Sequence, residues 1–91
     1  MDKRLNNLGL AYRAKKIVLG EDVITKMPNL KLVYIASDIS PLSLKRVLKK
    51  CDFYKVSYVN TFSSNDISNA LGKTNIKLIG IMDDGFVKLL K

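Results

Sequence analysis

Apolar positions along this chain fall alternately at helical and at strand spacing, and that alternation predicts the elements. Leu5, Leu8 and Tyr12 share one helical face, so a first helix is predicted from Lys3 to about Lys15, with Lys3, Arg4 and Lys15 on its exposed side. Gly9, inside that segment, either weakens the helix or lets another element pack closely against it. Ile17 to Leu19 is a candidate short strand. Gly20 can then act as N-cap of a second helix whose first turn carries Glu21 and Asp22 near the positive dipole end, and Pro28 is expected to stop it. Leu32 to Ala36 is a continuous run of apolar residues dominated by β-formers, the pattern of a central strand covered on both faces.

Ser40 and Pro41 suit the N-cap and first position of a third helix, after the turn that begins at Ser37. Leu44, Val47, Leu48 and Cys51 form its apolar stripe, while Lys45, Arg46, Lys49 and Lys50 lie largely off it. Val56 to Phe62 is predicted as a strand. Ser63 or Ser64 caps a short fourth helix running through Leu71, closed by Gly72, and Ile76 to Met82 is the last strand. Asp83, Asp84 and Gly85 are predicted to turn the chain into a terminal helical stub, Phe86 to Leu90. Strands separated by helices imply crossover connections, hence an α/β fold with three layers, helices on both faces of a mixed or parallel sheet. Residues 1–91 are short enough for one domain and no more.

Charge changes the picture. Sixteen Lys and Arg against eight Asp and Glu give a formal net charge of +8, a balance that attracts polyanions; the plainer alternative is a set of solvated lysines that keep a small protein soluble. Arg13, Lys15 and Lys16 precede the first strand, Lys26 lies on the second helix, and Lys73 sits in the loop before the last strand. In an open α/β sandwich, loops at one end of the sheet can converge into an anion-attracting surface.

Candidate catalysis finds little support. There is no histidine, which removes the commonest general base and transition-metal ligand, and the single cysteine, Cys51, fits the core stripe of its helix. The isolated glycines form neither GxGxxG nor GxxxxGK[ST], and Asp83 with Asp84 lacks the further oxygens that a hard cation wants. No enzyme activity, cofactor or metal is expected. The lone cysteine, the absence of a membrane-span-length apolar stretch and the charged Met1 to Asn7 segment lead to an expectation of cytoplasmic residence without a membrane partner.

Three segments carry a family resemblance: Leu8 to Gly20 (LGLAYRAKKIVLG), Leu32 to Pro41 (LVYIASDISP) and Ile67 to Gly72 (ISNALG). In that order and spacing they resemble the bacterial YlxQ-type branch of the ribosomal protein L-seven-Ae family, over nearly the whole chain. The last segment has Ile67 and Ser68 where that family usually has Leu and Gly. The resemblance implies a three-layer α/β/α sandwich with a four-stranded mixed sheet, of the ribosomal protein L-seven-Ae/L-thirty-e-like type. It also implies binding of kink-turn RNA.

The family's G-x-N-E-x-x-K sequence at the start of the second helix corresponds to Gly20, Glu21, Asp22, Val23, Ile24, Thr25 and Lys26. Gly20 and Lys26 carry over. Asp22 stands where Asn is usual and Val23 where Glu is usual; an aspartate cannot donate as an amide does and repels nearby phosphate. By the same resemblance, Ser40 and Ser64 fall at positions that touch the extruded nucleotide and backbone. The loop Gly72, Lys73, Thr74 and Asn75 presents a cation suited to phosphate contact. The expected interface is therefore these residues, with Arg13, Lys15 and Lys16 as additional basic surface. Structured RNA, with ribosomal RNA in first place, is the expected partner, beside ribosome-associated proteins. The alternative is a protein-interaction module that docks an acidic partner.

Overall fold

The computed structural model describes residues 2–91; Met1, the first residue of the charged N-terminal segment, lies outside them. In chain order the elements are α1 (Lys3–Arg13), β1 (Ile17–Leu19), α2 (Glu21–Thr25), β2 (Leu32–Ile35), α3 (Pro41–Tyr54), β3 (Ser57–Val59), α4 (Ser64–Leu71), β4 (Leu78–Ile81) and α5 (Asp84–Leu90). A single 3-10 turn, Met27–Asn29, separates α2 from β2.

The strands form one mixed sheet in the order β1-β4-β2-β3. β4 runs antiparallel to both β1 and β2, and β3 runs parallel to β2. Every residue of β2 is buried, as a strand paired on both edges and covered on both faces must be. Side chains alternate across it. Leu32 and Tyr34 join Ile79, Ile81, Leu5, Leu8 and Ile67 in one apolar layer. Val33 and Ile35 join Val18, Val23, Met27, Val47 and Cys51 in the other, so helices cover both sides and the α/β/α sandwich is the architecture.

Several elements differ from their predicted extents. The first helix ends at Arg13 because Lys15 adopts a left-handed conformation (φ 60°) that turns the chain into β1. The second helix ends at Thr25, before Pro28, which occupies the 3-10 turn instead. β3 covers Ser57–Val59 rather than Val56 to Phe62, because an edge strand lasts only as long as its one neighbour, and pairing with β2 stops at Tyr34 opposite Val59. β4 is likewise Leu78–Ile81, not Ile76 to Met82. Asp83 is the N-cap of α5 and Asp84 its first residue, so the acidic pair opens the last helix rather than forming a separate turn.

One contact ties α5 to the sheet and another sets how closely α1 lies against α4. The Tyr34 hydroxyl, fully buried, donates to the Leu90 carbonyl, which α5 itself leaves without a helical partner. Burial pushes that phenol up to about 12, so it remains a donor throughout the working pH range. Gly9 lets α1 approach α4 closely: a Cβ there would lie 2.7 Å from the Ala70 carbonyl oxygen, which is backbone and cannot swing aside.

Gly9→Ala therefore sets two effects against each other. Alanine gains up to about 1 kcal/mol of helix propensity, while overpacking against backbone costs roughly 1 to 3 kcal/mol. The clash is expected to win, so the thermal midpoint of Gly9→Ala should fall by several degrees. A midpoint at or above that of the unmodified protein would show that α1 and α4 can separate freely.

Candidate functional site

The register of the sheet decides which loops meet. Leu19 at the end of β1 pairs with Ile79, and Ile35 at the end of β2 pairs with Leu78, where β4 begins. β3 is parallel to β2 and ends on the same side. The segments after β1, β2 and β3, and the segment before β4, therefore share one rim of the sandwich.

A shallow groove crosses that rim. Gly20 and Glu21 from the start of α2, Ser40 and Ser43 from the start of α3, and Asn75 and Lys77 from the loop before β4 line it, over an apolar floor of Ile39 and Leu78. Gly20 has φ 60° and ψ −131°, a conformation strained for any residue with a Cβ, and its N–H donates to the Leu78 carbonyl. Asn75 is also left-handed, at φ 58°, which asparagine tolerates better than most residues. The Ser40 hydroxyl accepts from the Ser43 N–H at 3.3 Å as the N-cap of α3, leaving its own hydrogen for another acceptor.

Hydrogen bonds fasten the flanking loops. Asp38 accepts from both the N–H and the hydroxyl of Ser64, each at 2.7 Å, joining the β2–α3 loop to the first residue of α4. These bonds, the hydroxyl first and the amide next, hold the Asp38 carboxyl below its ordinary 3.8; the Lys77 charge adds a smaller pull in the same direction. Ser63, not Ser64, is the N-cap of α4. Ser68 pins the loop before β4: its buried hydroxyl accepts from the Ile76 N–H at 2.8 Å, and its carbonyl accepts from the Lys73 N–H. The serine at this position thus does structural work that a glycine could not.

The expected interface residues divide by location. Gly20, Glu21, Ser40 and Asn75 come together in the groove, and Ser64 lies beside it, bound to Asp38. Asp22 on α2 and Lys26, its C-cap, are exposed and about one helical turn apart, outside the groove lining. Gly72, left-handed at φ 68°, caps α4, and with Arg13 lines a separate cleft between α1 and α4; the Lys73 ammonium stands 5.6 Å from the ring centroid of Tyr12 in that same cleft. Thr74 is exposed in the connecting loop. Lys15 and Lys16 precede β1, at the opposite end of that strand from Gly20, roughly 10 Å of strand away. The extra basic residues therefore do not extend the groove.

Sequence reasoning missed Lys77, Ser43 and the consequence of Val23. Lys77 sits inside the predicted last strand, yet it is the one charged position in an apolar run, the signal of a side chain turned to solvent. Val23 is fully buried among Met27 and Val33, so it serves the core and faces no ligand. Arg46 reaches from α3 to Glu21 at 3.4 Å, an exposed pair of small energetic weight that nonetheless joins α3 to the groove edge. Cys51 lies in the core, where burial raises its thiol above the ordinary value.

Comparison with known proteins agrees with the fold. The model of the ribosomal protein L7Ae/L30e/S12e/Gadd45 family matches residues 2–90. The chain belongs to this family. It is 38% identical over 92 residues to the RNA-binding protein YlxQ of Enterococcus faecium, covering 98% of this chain and 88% of that protein. The RNA-binding protein YlxQ of Bacillus subtilis (strain 168) is 37% identical over 86 residues, with 91% and 86% covered. Among solved structures, a Bacillus halodurans C protein of unknown function superposes with a TM-score of 0.91 at 31% identity, over 99% of this chain and 94% of that one. The Giardia lamblia 15.5kD RNA binding protein shares the fold, with a TM-score of 0.81 at 20% identity over 97% of this chain and 78% of that one.

Two measurements test how the rim is held. Ser68→Ala removes the acceptor for the Ile76 N–H, so hydrogen exchange at Ile76 should accelerate, with about 1 kcal/mol lost in global stability; unchanged exchange would mean another group holds the loop. Asp38 has a lowered folded-state pKa, so its contribution is present above the unfolded value and fades as pH falls through the folded one. Asp38→Ala should accordingly lower the thermal midpoint at about pH 7, and the gap should close well below the ordinary carboxyl value of 3.8. A gap unchanged in acid would show that the carboxylate charge is immaterial.

Proposed function

We propose that this protein is a non-catalytic RNA-binding protein that recognises a sharply bent, kink-turn-like RNA through the rim groove, with ribosomal RNA as the setting. The observation that carries the reading is the convergence of Gly20, Ser40, Asn75 and Lys77 from three segments into one groove. Asn75 presents an exposed amide side chain, Ser40 retains a hydroxyl hydrogen, and Lys77 supplies the charge, a combination suited to a phosphate turn and the edge of an unpaired base. RNA recognition of this kind targets loops and bulges because the major groove of an A-form helix is too narrow to read.

Membership of the family and the RNA-binding names of the two bacterial relatives support RNA as the partner. The absence of histidine and the formal charge of +8 agree with a binder of polyanions rather than an enzyme. Asp22, exposed next to Glu21 on α2, is a carboxylate that favours donors on a base edge and repels phosphate. Phosphate contact in the groove accordingly falls to Lys77.

Fluorescence anisotropy with a kink-turn RNA and a straight duplex of equal length tests the reading. The kink-turn RNA should bind at least about tenfold more tightly. Asn75→Gly, which keeps the left-handed backbone but removes the amide side chain, should weaken kink-turn binding. Lys77→Gln should lower the salt dependence of log K by roughly 0.7 to 0.9. Equal affinity for the two RNAs, unaltered in both variants, would overturn the proposal and leave a general basic protein or one that docks an acidic polypeptide.

A further inference from the structure

α3 carries a second surface that the core does not explain. Its apolar stripe, Leu44, Val47, Leu48 and Cys51, packs into the sandwich. On the opposite side Leu42, Arg46, Lys49 and Phe53 fall at i, i+4, i+7 and i+11, a straight line along the helix. Leu42 is 81% exposed and Phe53 73% exposed. Lys45 and Lys50 flank the line, and Asp52 is the one carboxylate on the helix.

The arrangement is specific in its chemistry. Phe53 meets Tyr54 edge-on, with ring centroids 4.8 Å apart at 79°, which leaves Phe53 largely open to solvent. An open aromatic face among cations is what a stacked base beside a phosphate backbone requires. A protein face would be matched by carboxylates, but the four cations here leave that choice open, and continuity with the groove decides it. Ser43, from the first turn of α3, lines the rim groove, and Arg46 reaches Glu21 at its edge. Ten residues of helix separate Ser43 from Phe53, about 15 Å, so one strand can reach from the groove to the aromatic ring.

We infer that the exposed face of α3 is a second RNA-contact surface, which takes the strand leaving the rim groove by phosphate contacts to Arg46, Lys49 and Lys50 and by stacking of an unpaired base on Phe53. This inference rests on the proposed RNA-binding function and adds a partner for residues that function does not use. It assigns the surface to a flanking single strand, not to the kink itself.

The test compares three probes by anisotropy with the full chain: a trimmed kink-turn RNA, and the same RNA with a single-stranded extension at its 5′ or its 3′ end. One extension should tighten binding. Phe53→Ala should weaken binding of that extended RNA by roughly 5- to 150-fold while leaving the trimmed RNA unaffected, and Phe53→Tyr should restore it. Lys49→Gln with Lys50→Gln should lower the salt slope for the extended RNA by roughly 1.4 to 1.8. If neither extension tightens binding, or if both variants bind the extended RNA as the unmodified protein does, the α3 surface is not an RNA contact and the rim reading stands untouched. If the unmodified protein binds none of the three probes, the proposed function itself fails and the inference goes with it.

Discussion

The ladder between β2 and β4 is the constraint on which the remaining structure depends. Four residues of β2 pair with four of β4, and both strands send side chains alternately into the two apolar layers. Strands buried in this way have no solvent to satisfy their backbone groups, so each must be paired on both edges, which places β1 against β4 and β3 against β2. The helices follow. Tyr34 reaches from β2 to hold α5 by the Leu90 carbonyl, and Gly9 lets α1 lie against α4.

The same ladder positions the groove. Because β4 is antiparallel to β2 and to β1, the end of each of those strands lies beside the beginning of β4. Gly20, Ser40 and Lys77 are distant in sequence, yet each is within a few residues of that common boundary. What keeps the boundary ordered is a small set of side-chain bonds to backbone: Asp38 and Ser63 at the start of α4, Ser40 at the start of α3, and Ser68 under the loop before β4. None of these residues is part of the large apolar layers, so the rim is held separately from the core. A rim of this kind can alter its surface residues without cost to the sheet, which is how Val23 can serve the core while its neighbours Glu21 and Asp22 stay at the surface.

Charge is not spread evenly over this frame. The groove itself contains one cation, Lys77, and one carboxylate, Glu21. The larger positive contribution near it runs along α3, on the side away from the sheet, where a helix can display cations on one face and apolar residues on the other. Arg13 and Lys73 gather instead near the cleft between α1 and α4, and Lys15 and Lys16 at the far end of β1. Net charge thus overstates how cationic the groove is.

The helices and the buried central strand were legible because each is encoded locally. Ser40 with Pro41 marks the start of α3, Leu44 to Cys51 repeats at helical spacing, and Leu32 to Ile35 is apolar without interruption. The family was legible because three separated segments keep its pattern, and that pattern also named Gly20, Ser40 and Asn75. Strand ends were not legible: Phe62 and Ile76 are apolar and buried or half-buried, but pairing ceases before the one and begins after the other, and pairing depends on a neighbour the local sequence does not show. The sequence by itself therefore determined the element types, the two-faced burial of β2 and the excess of positive charge. Only the tertiary structure decided that Lys77 faces the groove, that Lys73 turns toward Tyr12, and that Lys15 and Lys16 lie at the other end. Which loops meet is a property of strand order and direction, set by backbone hydrogen bonds between residues far apart in the chain.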